Sequence, residues 1–177
     1  MDHVLSTREL RDTKPDRAGF PAMPRSPITV VLDGVTGGYN LGSIFRLCDA
    51  FLAERLIVCG AAVVLRKRKL MQAAKGAERW VPWEAAVDTA TAVRALKAAG
   101  HWIVAVELTT HSVPLAAIRP RFPATVILGN EQCGVSPDVL ALADQAVAIE
   151  MRGMANSLNV ATAAAIVLHE LVGRLPA

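Results

Sequence analysis

Three short stretches carry the side chains best suited to chemistry. Asn40 and Arg46 lie in N-L-G-S-I-F-R (40–46), Glu131 in I-L-G-N-E-Q-C-G-V (127–135), and Ser157 and Asn159 in M-R-G-M-A-N-S-L-N-V (151–160). Together they offer amides, a guanidinium, a carboxylate and a hydroxyl, groups that bind and position a polar ligand. Each also has an ordinary reading. Arg46 could be a surface arginine, Glu131 a loop carboxylate, and Ser157 or Asn159 a helix cap. Each stretch, however, follows an apolar run that reads as a buried strand. The C-terminal ends of strands are where open α/β sheets bind ligands. Three polar clusters in that same position argue for one site. The last of them opens a helix, whose unpaired N–H groups and partial positive charge can hold a polar group.

The elements that must position these residues follow from periodicity. Residues 1–27 carry Pro15, Pro21, Pro24 and Pro27 with little apolar pattern, so they form an N-terminal arm, with a short helix near Thr7–Thr13. Residues 28–177 form the domain proper. Ile28–Leu32, Arg55–Cys59, His101–Glu107, Ala124–Leu128 and Gln145–Ile149 are apolar runs bounded by turn residues and are expected to be strands. Asn40 is expected to cap a helix in which Leu41, Ile44, Phe45, Cys48, Phe51 and Leu52 recur at helical spacing. Asp88 caps a second helix ending near Gly100, Ser136-Pro137 starts a third, and Ser157–Val172 is the last. Gly76–Glu84 has no regular pattern. Continuous apolar strands alternating with helices imply an α/β domain, with a mostly parallel sheet and helices on both faces. The last helix is apolar on two stripes, Leu158–Ala161–Ala165–Leu168–Val172 and Val160–Ala164–Val167–Leu171. A helix apolar nearly all round must be buried nearly all round, and a second subunit would cover one side.

Composition narrows the function. The 177 residues are 53% hydrophobic and 20% charged, one domain's worth of sequence with no apolar run near the ~18 residues of a membrane span. The N-terminus has no apolar signal segment, so the expected compartment is the cytoplasm. Cys48, Cys59 and Cys133 form no CxxC pair; the first two sit in apolar periodic segments, and Cys133 lies in a loop. His3, His101, His111 and His169 show no metal-ligand spacing, so no metal is expected. A net charge of +3 is too small to argue nucleic-acid binding, but its distribution is uneven. Arg66, Lys67, Arg68, Lys69 and Lys75 form a dense basic segment, and Arg8, Arg11, Lys14, Arg17 and Arg25 occupy the arm. One such cluster reads as a solvated helix face; two raise phosphate binding to an equal alternative. The glycines at 34, 37, 38 and 42 do not make G-x-G-x-x-G, and no acidic residue ends the second strand, which disfavours a dinucleotide-dependent oxidoreductase.

At the three motifs the chain resembles the SPOUT-superfamily RNA 2′-O-ribose methyltransferases of the SpoU/TrmH type, over roughly residues 28–173. The resemblance implies a C-terminal trefoil knot, a homodimer, and S-adenosyl-L-methionine as cofactor. It implies methyl transfer to a ribose 2′-OH of structured RNA. tRNA is favoured because the chain carries no added domain for reaching a ribosomal site; rRNA, or a non-catalytic RNA-binding module of the same fold, is the alternative. The catalytic set it implies is Arg46, Asn40, Glu131, Ser157 and Asn159. Cofactor contacts fall to Leu128, Gly129, Ile149, Met151, Ser157 and Leu158, largely through backbone. RNA contacts fall to Arg66, Lys67, Arg68, Lys69 and Lys75. Two departures stand out: Glu150 where relatives commonly have proline, and Ala161–Thr162 in place of a serine-containing continuation. The resemblance gives Arg46 the task of accepting the 2′-OH proton with help from an RNA phosphate. A guanidinium stays protonated in proteins, so base and phosphate clamp both remain open roles at this point.

Overall fold

The computed structural model describes residues 3–16, 19–60 and 68–176. Seven strands form one sheet: β1 (Ser26–Asp33), β2 (Ala53–Cys59), β3 (Trp83–Ala86), β4 (Trp102–Val106), β5 (Val113–Pro114), β6 (Ala124–Gly129) and β7 (Gln145–Ala148). Their order is β3-β2-β1-β6-β4-β7-β5, and every pairing is parallel. The chain builds outward from β1 to β2 and β3, then fills the other side. The strand order therefore reverses between β1 and β6, and such a reversal opens a crevice at the C-terminal ends of the two strands.

Ile28 to Leu32 are all buried, as a strand covered on both faces requires. Val30 and Leu32 face the larger core, with Phe45 and Ile44 of α2 (Gly38–Ala50), Leu70 of α3 (Arg68–Ala74) and Leu168 of α6 (Val160–Val172). Val31 faces the smaller core, with Val93 and Leu96 of α4 (Thr89–Ala98) and Val139 of α5 (Pro137–Leu140). The short helix α1 (Thr7–Asp12) in the arm buries no residue; a reciprocal Ser6–Glu9 capping box holds its start. Hydrogen bonds from Ser6, and from His3, hold the Glu9 carboxyl down at about 2. Arg25 ties the arm to the domain by donating to the carbonyls of Ala53 and Trp80.

Three expectations need correction. Asn40 does not cap α2: the cap is Gly37, and Asn40 sits in the first turn with its side chain turned across the sheet end. The last helix starts at Val160, capped by Asn159, so Ser157 precedes it. The Gly76–Glu84 stretch is more regular than its sequence suggests, with a 3-10 turn at Ala77–Arg79 leading into β3. The edge position of β3, one side unpaired and Glu84 and Ala85 exposed, explains the missing apolar run. Of the basic segment, Arg66 and Lys67 lie outside the described residues. Arg68 and Lys69 begin α3 and are exposed, as is Lys75 just after it.

Gly42 places α3. A Cβ there would lie 2.7 Å from the Ala73 Cβ and 2.8 Å from the Ala74 amide, far inside contact distance. The glycine lets the backbone of α3 pass directly over the first turns of α2. Its basic residues are thereby carried to the same end of the sheet as Asn40.

Candidate active site

The first turn of α2 follows β1, and the Asn130–Gly134 turn follows β6, so the two flank the reversal in strand order. Asn130 locks them together. Its Nδ2 donates 2.7 Å to the Gly34 carbonyl, while its Oδ1 accepts from the Gln132 and Cys133 amides. On the other side Asp33 receives the Thr89 hydroxyl at 2.6 Å and both the amide and the hydroxyl of Ser136. Ser136, expected as a helix cap, thus spends its hydroxyl on the sheet end.

Within this frame Asn159, Asn40 and Glu131 form one hydrogen-bonded row. Asn159 Oδ1 accepts from the Ala161 and Thr162 amides at 3.0 and 3.4 Å, capping α6. Its Nδ2 donates 2.9 Å to Asn40 Oδ1, and Asn40 Nδ2 donates to Glu131 Oε1. Both ends fix the direction. A helix N-terminus can only donate and a carboxylate can only accept, so each amide has one consistent orientation. Such a row polarises along its length and presents a fixed carboxylate. The second Glu131 oxygen has no partner among the described residues and is open to a ligand's hydroxyl.

Arg46 stands apart. Six residues beyond Asn40, it is about 9 Å further along the helix axis by helical rise. It is exposed, and among the described residues it has no hydrogen bond or ion pair. Ser157 is also exposed and outside the row, but it lines the cleft described next. Three of the five expected catalytic residues are therefore joined, and two are not.

Beside the row lie two adjoining clefts of about 540 and 510 Å³, which share Val106, Glu107, Ser157, Leu158 and Ala163. Ile149 and Met151 line the first, and Leu128 and Gly129 the second. All six residues expected to hold the cofactor thus line one pair of adjoining clefts. Gly129 has no room for a side chain, since a Cβ would collide with the backbone of Gly134 and Val135. Among the described residues no group of three or more His, Cys, Asp or Glu could hold a metal.

Glu107 escaped the sequence reading. At the end of β4, its carboxylate accepts from the Val135 amide at 2.8 Å and the Leu108 amide at 3.0 Å, and it lines both clefts. Its signal was a lone carboxylate ending an apolar strand, the same signal that Asp33 gives at the end of β1.

Comparison with known proteins agrees with this geometry. Residues 27–169 match the SpoU rRNA Methylase family. The chain is 33% identical over 143 residues to the tRNA (guanosine(18)-2′-O)-methyltransferase of Escherichia coli K12, an alignment covering 81% of this chain and 62% of that relative. The chain thus spans less than two thirds of that relative's length. Its fold is similar to the crystal structure of the A. aeolicus TrmH/SpoU tRNA modifying enzyme, with a TM-score of 0.81 and 30% identity over 89% of this chain and 80% of that one. It is also similar to the AdoMet-bound rRNA methyltransferase from Sinorhizobium meliloti, with a TM-score of 0.79 and 29% identity over 89% of this chain and 61% of that one. With three motifs meeting at the crevice of a parallel sheet, and a match spanning most of its length, the chain belongs to the SpoU rRNA Methylase family.

Proposed function

We propose that this protein transfers a methyl group from S-adenosyl-L-methionine to a ribose 2′-hydroxyl of structured RNA, with tRNA the favoured substrate. The observation that carries the reading is the Asn159–Asn40–Glu131 row, set beside a cleft of cofactor size. The clefts fall within the usual range for small-molecule sites, about 300–1,000 Å³. Their lining suits the cofactor: apolar Val106, Leu128 and Leu158 for its apolar surface, and backbone groups near Gly129, Ile149 and Met151 for its polar edges. When bound, the cofactor supplies an electrophilic methyl.

The remaining work is positioning, and this chain's residues divide it. Glu131, held by Asn40 through one oxygen, offers the other to the 2′-hydroxyl, orients its lone pair and takes its proton as the oxygen gains the methyl. Asn159 holds Asn40 while capping α6. Ser157, at the junction of the two clefts, contacts the nucleotide. Arg46, with no partner among the described residues, has its donors free for an RNA phosphate. Because a guanidinium keeps its proton, we assign Arg46 as the phosphate clamp. Holding the reactants in line is worth several kcal/mol of barrier, so geometry can supply much of the rate.

The reading extends to assembly and place. The Val160–Ala164–Val167–Leu171 stripe of α6 is buried within the protomer, whereas Ala161, Ala165 and Val172 on the other stripe, with neighbouring Ile166, stay partly exposed. That supports a homodimer built on this face. We also assign the protein to the cytoplasm and divide it into an arm, 1–27, whose last two residues open β1, and a methyltransferase domain, 28–177. Arg68, Lys69, Lys75 and, outside the described residues, Arg66 and Lys67 would form the RNA track.

The test is transfer of tritiated methyl from S-adenosyl-L-methionine to unmodified tRNA transcripts and to rRNA fragments, followed by mapping of the resistant ribose. Label on tRNA, lost in Arg46→Ala with cofactor affinity retained, is expected. Label on rRNA alone would move the substrate, and no label with tight RNA binding would favour the non-catalytic module. Near-normal turnover in Arg46→Lys would support the clamp, since a point charge then suffices.

A further inference from the structure

Tyr39, the chain's one tyrosine, sits in the first turn of α2 immediately before Asn40 and is 55% exposed. Its ring serves no core, and among the described residues its hydroxyl has no hydrogen bond. What it does meet is Lys69 of α3, whose ammonium lies over the ring, 5.8 Å from the centroid. The approach of α3 to α2 creates this pairing: a Cβ on Gly38 would lie 3.3 Å from the Lys69 Cβ, so the two backbones nearly touch there. Close helix packing thus holds an aromatic ring and a cation together at the turn of α2 that carries Asn40.

We propose that Tyr39 is a stacking platform for an RNA base next to the target ribose, with Lys69 contacting the adjoining phosphate. The inference rests on the RNA methyl-transfer reading and names the contact by which that site takes its substrate. An exposed ring backed by a cation matches single-stranded nucleic acid on both counts: every base offers a π-face, and each is joined to a phosphate. A base unstacked from its neighbours, as in the single-stranded loops, bulges and ends of structured RNA, regains that stacking on Tyr39. Solvent exposure of an aromatic beside the active row then has a use, which a ring serving only to shield α2 would lack.

The lone tyrosine makes the test specific. Protein labelled with ring-¹³C tyrosine gives one set of ring signals, followed while a pool of unmodified tRNA transcripts is added. Stacking shifts those signals upfield. Tyr39→Leu, which keeps bulk and helix compatibility, should weaken tRNA binding by about 5- to 150-fold, the range for loss of one base–aromatic stack. Its melting temperature and cofactor affinity should stay at the wild-type values. Tyr39→Phe should recover most of the lost affinity. Lys69→Gln should flatten the log–log salt slope by about 0.7–0.9, one phosphate contact. Wild-type binding with unmoved tyrosine signals, or equal affinity in Tyr39→Leu, would overturn the platform and leave the parent reading intact. A wild-type chain that binds none of the transcripts would overturn both. A Tyr39→Leu protein that sediments as a smaller species than wild type would assign the ring to a second copy of the chain, and against RNA.

Discussion

Asn40 and Asn159 lie 119 positions apart and share a hydrogen bond of 2.9 Å. That contact joins the first helix of the domain to the last, and both amides are committed on either side of it. Asn40→Ala should therefore act on chemistry far more than on stability. One hydrogen bond is worth about 0.5–1.5 kcal/mol net, whereas releasing a positioned carboxylate costs roughly 100-fold in rate. Asn159→Ala should cost about 1 kcal/mol more in stability, because it also uncaps α6. Urea titrations of both single variants and the double should show coupling of about 0.5–3 kcal/mol; strict additivity would mean that the bond contributes nothing.

Gly42→Ala should destabilise the domain by separating α2 from α3. The new methyl meets the Ala73 Cβ and the backbone of α3, neither of which can rotate away. Forced separation of this kind costs about 1–3 kcal/mol. Gly153, with nothing within 4 Å of its would-be Cβ, is the control. Chemical denaturation should show a clear loss for the first and little change for the second.

Acid stability should depend on Asp144. Burial pushes its carboxyl upward, but the Lys97 ammonium at 2.7 Å and the Ile103 amide at 2.8 Å outweigh that and hold it below the ordinary carboxylate value. A folded-state value lower than the unfolded one adds stability above the unfolded pKa of about 3.9. That stability drains away as pH falls through the folded value. Asp144→Asn should lower the melting temperature at pH 7, and its gap from wild type should narrow below about pH 4. A gap that stays constant from pH 7 to pH 3 would rule the linkage out.

The three thiols should separate cleanly. Burial pushes Cys48 up to about 12 and Cys59 up to about 11, while Cys133 is exposed in the cleft-lining turn. A thiolate is the reactive form. An aromatic disulfide reagent at pH 8 should titrate one thiol quickly in the native protein and two more only after unfolding. Two fast thiols would mean that α2, which carries Cys48, or β2, which carries Cys59, opens readily.

The sequence by itself determined the alternation of strands and helices, the parallel sheet, and the three polar stretches that end its strands. Those features are local: an apolar run of five residues has one way to be buried on both faces, and motif residues are neighbours along the chain. What the sequence could not determine was which way each polar side chain turns. Asn40 reads as a cap from its position alone, because capping is what an asparagine does when nothing else is near. Only with Glu131 and Asn159 brought alongside does the amide gain two better partners, and Gly37 takes over the helix start. Glu107 and β3 were illegible for the same reason. A carboxylate that holds a turn 28 residues away, and an edge strand paired on one side only, take their meaning from neighbours that the chain supplies elsewhere. Tertiary structure decided the site because hydrogen bonds are made by distance in space, and the sequence orders residues only along the backbone.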